Sequence, residues 1–444
     1  MTKVAIVGGG FTGLSAAYDL ARRGLDVTVF EAAPQVGGLA AGFRAPGWDW
    51  SLEKFYHHIF QSDAAFIDLI KEIGAEDLLF FNKPVSGYWD EQFGSLALDG
   101  ALPLLRYPHL PLLDRVRTGV VVAWLKWLKA VDRWQPLEDV TAEDYLRHTM
   151  GDLSYEQLWR PLFEGKFGPY AGQVNAAWFW ARIASRTPKL GYFRGGFQAM
   201  AERLAEAVRL SGGTVRVDAP VQAIMAHDDG WLLSTPDGPF VADAVLSTTS
   251  PGLLRRMTPS LPANYAAGLD QLKSIGALVL TIALDRSLTN GTYWMNMDKG
   301  RFPVLALVEH TQMIDRRHYG GQHLVYLGDY LEPSHEHFGL DAEALLERFL
   351  PSLPLVNSQF QRSWIQGMWL HKEAYAQPIA TVGHSRNIPP LATPLPGVWW
   401  ASMSQVYPWD RGTNYAVELG RRAASEMLQQ VGSTALRAAP LGKG

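Results

Sequence analysis

A short, unbroken apolar run, VAIV at residues 4–7, opens the pattern and stops at Gly8-Gly9-Gly10; Leu14, Ala16, Ala17, Leu20 and Ala21 then recur at helical spacing. The β-branched run predicts a strand buried on both faces, and the 3.6-residue recurrence predicts a helix packed against it. Gly24 ends that helix, and VTVF at 27–30 repeats the strand pattern with Glu31 at its tip. Strand, glycine turn, helix and second strand together predict a βαβ crossover.

Beyond residue 31 the two periods alternate. Residues 64–73 read as an amphipathic helix closed by Gly74, 80–100 as an aromatic, turn-rich hairpin leaving the first domain, and 102–111 as a stretch broken by prolines. Residues 115–134 read as a basic helix in which Trp124, Leu125, Trp127, Leu128 and Val131 are interleaved with Lys126, Lys129 and Arg133. Thr141 precedes a further helix with an acid at its third position, close to a capping box. Residues 159–170 and 178–186 stay helical and aromatic, and 199–210 is a helix capped by Ser211-Gly212-Gly213. Strands follow at 214–217, 221–226, 231–234 and 244–247, then at 277–284, 304–308 and 324–327. A helix at 341–350, a strand at 398–402 and a helix at 414–428 complete the pattern.

With 444 residues, 47% of them apolar, the chain exceeds one ordinary core and predicts two domains. A net charge of −4 gives no polyelectrolyte character, so nucleic acid is not an expected partner. Cysteine is absent, which removes disulfides, thiolate metal sites and thiol catalysis from consideration. Met1-Thr2-Lys3 runs directly into the first strand and no apolar run approaches the ~18 residues of a membrane span, so a cytoplasmic location is expected. His335-Glu336-His337 has no third ligand at convincing spacing, and no metal is expected.

The glycine turn carries the chemistry. A turn this tight, a pyrophosphate against the backbone and a helix close to its strand each exclude a Cβ, so Gly8, Gly10 and Gly13 have separate tasks. The helix N-terminus offers unpaired N–H groups and its dipole to phosphates. Glu31 stands eighteen residues after Gly13 (31 − 13), near the ~20 at which an acid accepts from a ribose hydroxyl, and it disfavours a phosphate there.

Pro34-Gln35-Val36-Gly37-Gly38-Leu39 places a glycine pair just beyond that acid. Residues 4–39, without a gap, resemble the opening signature of the FAD-dependent amine oxidase, protoporphyrinogen oxidase and phytoene desaturase superfamily. The resemblance implies bound FAD and an α/β fold in which a Rossmann-like FAD-binding domain is interleaved with an α+β substrate domain, the two-domain architecture of glutathione-reductase type. It implies residues 1–85, 196–252 and 386–444 for the FAD-binding domain, and 86–195 and 253–385 for the substrate domain. Gly8, Gly10, Phe11, Thr12, Gly13, Glu31, Gly38 and Leu39 are thereby implied for the dinucleotide and Val221 for the adenine. Ser404, Gly412, Thr413 and Asn414 are implied for the flavin end, where the last helix aims its N-terminus at N1 and the C2 carbonyl. His58, in Tyr56-His57-His58-Ile59-Phe60, is the catalytic candidate beside the flavin ring.

Two departures narrow the substrate. Amine oxidases follow the tryptophan matched by Trp409 with a cage tyrosine where this chain has Gly412, and hold a lysine near N5 where it has Ala283, Leu284 and Asp285. The expectation is therefore hydride transfer to flavin N5 from a C–H bond of a large, apolar or ring-containing small molecule, not simple amine oxidation. The HIF triplet at 58–60 is similar to that of UDP-galactopyranose mutase, which leaves a non-redox enzyme of nucleotide sugars as an alternative. A flavin-stabilised lipid- or partner-binding protein is a second. Arg160, Arg182 and Arg186 are candidate clamps for an anionic substrate. The 115–134 helix either roofs the substrate pocket or makes peripheral contact with an anionic membrane, and in the latter case the substrate is expected to be lipid-like.

Overall fold

A computed structural model describes residues 1–98, 100–228 and 230–438. Its first sheet has five strands in the order Thr214–Arg216, Asp26–Phe30, Lys3–Val7, Ala244–Ser247, Val398–Trp400, parallel throughout. Parallel strands are stable only when both faces are covered, which is why the runs at 4–7 and 27–30 are apolar but for the buried Thr28. Val4, Ile6, Val27 and Val29 pack with the helices Phe11–Ala21, Gly196–Leu210 and Thr413–Ala438. Ala5, Val7 and Phe30 pack with a three-stranded meander, Ala223–His227, Gly230–Thr235 and Gly238–Ala242.

The second sheet has seven strands, in the order Ile365–Pro378, Ser274–Leu284, His323–Leu331, Ala306–Glu309, Thr292–Asn296, Val85–Asp90, Gly94–Ala97. Its pairs are antiparallel except Val85–Asp90 against Thr292–Asn296. The chain thus has the α/β, two-part architecture expected, a parallel dinucleotide-type sheet joined to an α+β unit. The helical part of that unit, including Leu112–Ala130, Arg160–Phe167 and Ala176–Ser185, closes over its own apolar cluster.

The hairpin at 85–97 extends the second sheet by pairing in parallel with Thr292–Asn296. Two strands had no pattern to announce them. Ile365–Pro378 pairs along nearly its whole length with Ser274–Leu284, yet it is an edge strand and stays half-buried at most positions, with Gln366, His371, Lys372 and Glu373 among its apolar residues. Thr292–Asn296 is too short to show a period.

The two parts are stapled by a buried carboxylate. Gly195 and Gly196 both adopt positive φ (+85° and +82°), and a Cβ on Gly196 would lie 2.5 Å from the Ser51 carbonyl oxygen. This turn aims the Phe197 N–H at Glu53 Oε1 (2.7 Å), while the Tyr192 hydroxyl donates to Glu53 Oε2 (2.8 Å). From the second sheet, the Tyr326 hydroxyl donates to the Glu53 carbonyl (2.8 Å), and Tyr319 joins His310 (2.9 Å) behind Tyr192. Burial raises the Glu53 carboxyl from 4.5 to about 7, against the Phe197 and Tyr192 hydrogen bonds. The folded state therefore holds this proton more tightly than the unfolded chain. The associated stability is present below pH 4.5 and lost as pH rises through about 7. Between those limits the unfolding free energy of the native protein should fall relative to Glu53→Gln by about 3 kcal/mol, measured by denaturant titration. Parallel pH profiles for the two proteins would remove Glu53 from this role.

Candidate functional site

The glycine turn forms a trough built from backbone. A Cβ on Gly13 would come within 2.0 Å of the Gly8 carbonyl oxygen, so only glycine lets the Phe11–Ala21 helix start this close to the first strand. The Gly37 N–H donates to the Gly9 carbonyl (2.9 Å), which brings the second glycine pair alongside the first. Gly10 and Gly38 face each other with no side chain between them, and the half-buried Leu39 follows in the short turn Gly38–Ala40. No side chain caps the helix at Gly10, so the first-turn N–H groups of Phe11, Thr12 and Gly13 point along the trough without an intrahelical partner. Glu31 closes its far end. Its Oε2 accepts from the Gly9 N–H (2.7 Å) and its Oε1 from the Ala33 N–H (2.8 Å), leaving each oxygen a lone pair for a hydroxyl. Val221 is buried beyond Glu31 with Val7 and Phe30, two residues ahead of the strand it was expected to begin.

At the other end of the trough the final helix, Thr413–Ala438, begins after Gly412. A Cβ on Gly420 would sit 2.2 Å from the Thr12 carbonyl oxygen, so this glycine seats the final helix directly on the glycine-turn helix. Thr413 and Asn414 are buried in its first turn, and Asn414 Oδ1 accepts from the Phe66 N–H (3.1 Å), pinning a neighbouring helix. Ser404 is also buried, but its hydroxyl is shared with Tyr375 (2.6 Å).

Beyond Gly412 lies a chamber rich in cations. Asp410 Oδ2 accepts from Lys166 Nζ (2.8 Å) and lies 3.8 Å from Arg182. Asp410 Oδ1 accepts from Gln377 Nε2 (3.2 Å), and Gln377 Oε1 accepts from Arg411 Nε (3.0 Å). Arg411 also donates to the Tyr330 hydroxyl. Lys166 and Arg182 lie over the Trp178 ring, 5.1 and 5.7 Å from its centroid. Burial lowers the Lys166 ammonium to about 7 against the pull of Asp410. Burial would raise Asp410, yet Lys166, Arg411 and Arg182 together hold it well below the usual carboxylate range. Arg186 is pushed down to about 9, first by the Arg182 charge and then by burial, although its side chain remains accessible.

His57 Nδ1 bonds to the Phe55 carbonyl (2.6 Å), so this histidine fixes a turn. His58 stands at the chamber wall with a buried, unpartnered Nδ1, 6.1 Å from the Trp294 ring. Burial, then the Arg186, His57 and Arg182 charges, lower it to about 3, so it is a neutral imidazole at physiological pH. Of the three candidate anion clamps, Arg182 and Arg186 reach the chamber and Arg160 does not. Arg160 is an outer residue bound to Glu156 (2.8 Å) and Glu164 (2.7 Å), as its i±4 spacing from both acids allows. Lys166, Tyr330 and Gln377 belong to the chamber and carry no sequence signal, because each comes from a different element. The residue type of the two arginines was the one signal available.

The family model for flavin containing amine oxidoreductases matches residues 11–428. Zeta-carotene desaturase of Zea mays is 28% identical over 178 residues, covering 36% of this chain and 31% of that protein. Carotenoid phi-ring synthase of Streptomyces griseus is 23% identical over 313 residues, covering 65% of this chain and 60% of that protein. The chain therefore spans less than two thirds of either relative. Reduced UDP-galactopyranose mutase superposes with a TM-score of 0.74 at 16% identity, over 97% of this chain and 96% of that one, a likeness of fold. The chain belongs to the flavin containing amine oxidoreductase family, and its cofactor is FAD. The trough fits that group: backbone N–H donors stand where a pyrophosphate needs them, and no Cβ intrudes.

Gly10 has φ −77° and ψ 178°, open to any residue, and a Cβ there would meet Gly38 Cα at an ordinary 3.7 Å. Gly10→Ala should therefore fold within about 0.5 kcal/mol of the native protein while its FAD affinity drops about tenfold or more, since the methyl occupies the pyrophosphate's approach. Flavin absorbance after gel filtration, read beside a thermal melt, checks both halves. Unchanged FAD retention would mean that the pyrophosphate does not pass Gly10.

Proposed function

We propose that this FAD-dependent oxidoreductase takes a hydride from a C–H bond of a large, ring-containing or conjugated substrate lying between the flavin end of the trough and the cationic chamber. When bound, FAD supplies the hydride acceptor. The chain supplies position and water exclusion, and burial of the chamber walls makes each polar contact there stronger than in water. Tyr56 and Trp294 meet edge to face at 4.9 Å and give the substrate body an apolar wall, with His58 as a neutral hydrogen-bonding group beside it. The first-turn N–H groups of Thr413 and Asn414 lie outside their helix's own ladder, placed to stabilise negative charge gathering at that end of the trough.

The observation that carries this reading is the chamber's charge. Lys166, Arg182, Arg186 and Arg411 face Asp410, and a further carboxylate, Asp329, is paired with Lys299 (2.6 Å). A protonated amine would be repelled there. Trp409 is stacked on Tyr415 at 5.7 Å and 7°, too close to hold a substrate between them as two walls of a cage. The names of the maize and Streptomyces relatives, a desaturase and a ring synthase of carotenoids, support a substrate oxidised at carbon.

The same arginines favour a second reading, in which a reduced flavin serves a non-redox reaction of a nucleotide sugar. One experiment separates the two. Oxidised holoenzyme, mixed without oxygen with a panel of polyprenoids, porphyrinogens, amines and UDP-sugars, should lose its visible flavin absorbance with a polyprenoid or a porphyrinogen. Bleaching by a simple amine would overturn the substrate class. No bleaching by any compound, together with turnover of a UDP-sugar only after dithionite reduction, would replace oxidation by the second reading.

A further inference from the structure

Arg186 is the member of the chamber without a partner. Among the described residues it makes no hydrogen bond or ion pair, whereas Lys166, Arg182 and Arg411 are each tied to Asp410, Gln377 or Tyr330. A guanidinium carries five N–H donors in a planar fork, matched by the oxygens of a phosphate or carboxylate. Lys166, Arg182, Arg186 and Arg411 share the single carboxylate of Asp410, so the cluster keeps positive charge even with Lys166 partly neutral. We infer that the chamber receives an anionic group of the substrate, a phosphate or a carboxylate, with Arg186 as its principal ligand and Arg182 and Arg411 beside it. The inference rests on the reading of this chamber as the substrate site.

The test is titration calorimetry of the FAD-saturated, full-length protein with inorganic pyrophosphate and with dodecyl phosphate below its critical micelle concentration. Saturable binding of at least one is expected. Arg186→Gln should weaken it about 10- to 100-fold, the range of a charge-assisted hydrogen bond, with flavin content and melting temperature unchanged. Tighter binding of dodecyl phosphate would assign the headgroup of a lipid, and equal or tighter binding of pyrophosphate a free phosphate compound. Absence of binding to either, or binding indifferent to Arg186→Gln, overturns the inference. Should Arg186→Gln fail to fold, Arg411→Gln is read in the same way. The result is separable from the oxidation reading. A protein that binds these anions but is bleached by no donor loses the oxidation and keeps the anion site, whereas one that oxidises a neutral compound and ignores both phosphates loses the anion site alone.

A different observation carries a second inference. The helix Leu112–Ala130 buries Thr118, Val121, Leu125 and Leu128 against the helical cluster. On its other side Leu113, Val116, Val120, Trp124, Trp127 and Val131 are 39% exposed or more, Leu113 reaching 77%. Their spacing of three or four residues makes one apolar stripe about 27 Å long, and Trp124 stacks on Trp127 at 4.7 Å. A stripe this large is unusual on a free surface. Over residues 112–134 the charges are Arg115, Arg117, Lys126, Lys129 and Arg133 against Asp114 and Asp132, a net +3 (5 − 2) on a chain of net −4. No helix among the described residues is long and apolar enough to cross a membrane. We propose that this face lies on the surface of an anionic bilayer.

Full-length protein should co-sediment with phosphatidylcholine vesicles containing phosphatidylglycerol, and less with pure phosphatidylcholine. Trp124→Ala with Trp127→Ala should reduce that binding about tenfold or more, as expected for removing two interfacial aromatic anchors, without changing the melting temperature. Binding that survives the double change, or none at all, overturns the proposal. So does a concentration-dependent dimer, seen by light scattering, that the double change abolishes, since the stripe would then be a protein contact.

Discussion

Three approaches of backbone to backbone organise this molecule: Gly13 against the Gly8 carbonyl, Gly37 against the Gly9 carbonyl, and Gly420 against the Thr12 carbonyl. The first and third forbid a side chain by placing a Cβ about 2 Å from an oxygen, and Gly37 holds φ +123°, which favours glycine. Together they bring residues from the start, the first tenth and the end of the chain around one trough. The final helix can be a wall of the cofactor site only because Gly420 removes the spacing that a side chain would impose. Every other feature of the site, including the chamber beyond Gly412, takes its position from this seating.

The two buried ionisable centres solve opposite problems. At Glu53 one carboxyl sits among tyrosines, and burial raises its hold on the proton to about 7. In the chamber several cations share one carboxylate, and burial weakens the hold of Lys166 on its proton while Asp410 stays ionised. The first arrangement carries at most one negative charge and holds the two parts of the fold together. The second retains positive charge after its internal pairings are counted, which adds nothing to stability.

The crossover at residues 3–31 was legible because its constraints are local. An apolar run, a glycine turn and a helical period fall within one stretch, and the structure places them as the pattern requires. The chamber was only half legible. Arg182 and Arg186 could be singled out by residue type, but so could Arg160, which pairs with Glu156 and Glu164. Lys166, Gln377 and Tyr330 could not be found, since what joins them is the convergence of a helix and two strands. The edge strand Ile365–Pro378 hid for a related reason: its faces are half-buried, so polarity does not alternate.

The helix with the exposed stripe and the cationic chamber are not independent places in the fold. The Leu125 carbonyl accepts from Trp180 Nε1 (2.9 Å), and the Ala184 carbonyl accepts from Lys129 Nζ (3.3 Å), so Leu112–Ala130 is bonded directly to the helix that carries Arg182. The same lysine lies 5.4 Å from the Trp409 ring, next to Asp410 and Arg411. If both inferences hold, one molecule with an apolar body and an anionic end would account for the stripe and the cationic cluster together. An amphiphile satisfies both features with one chemistry, whereas a soluble nucleotide sugar would account for the arginines and leave the stripe without a purpose.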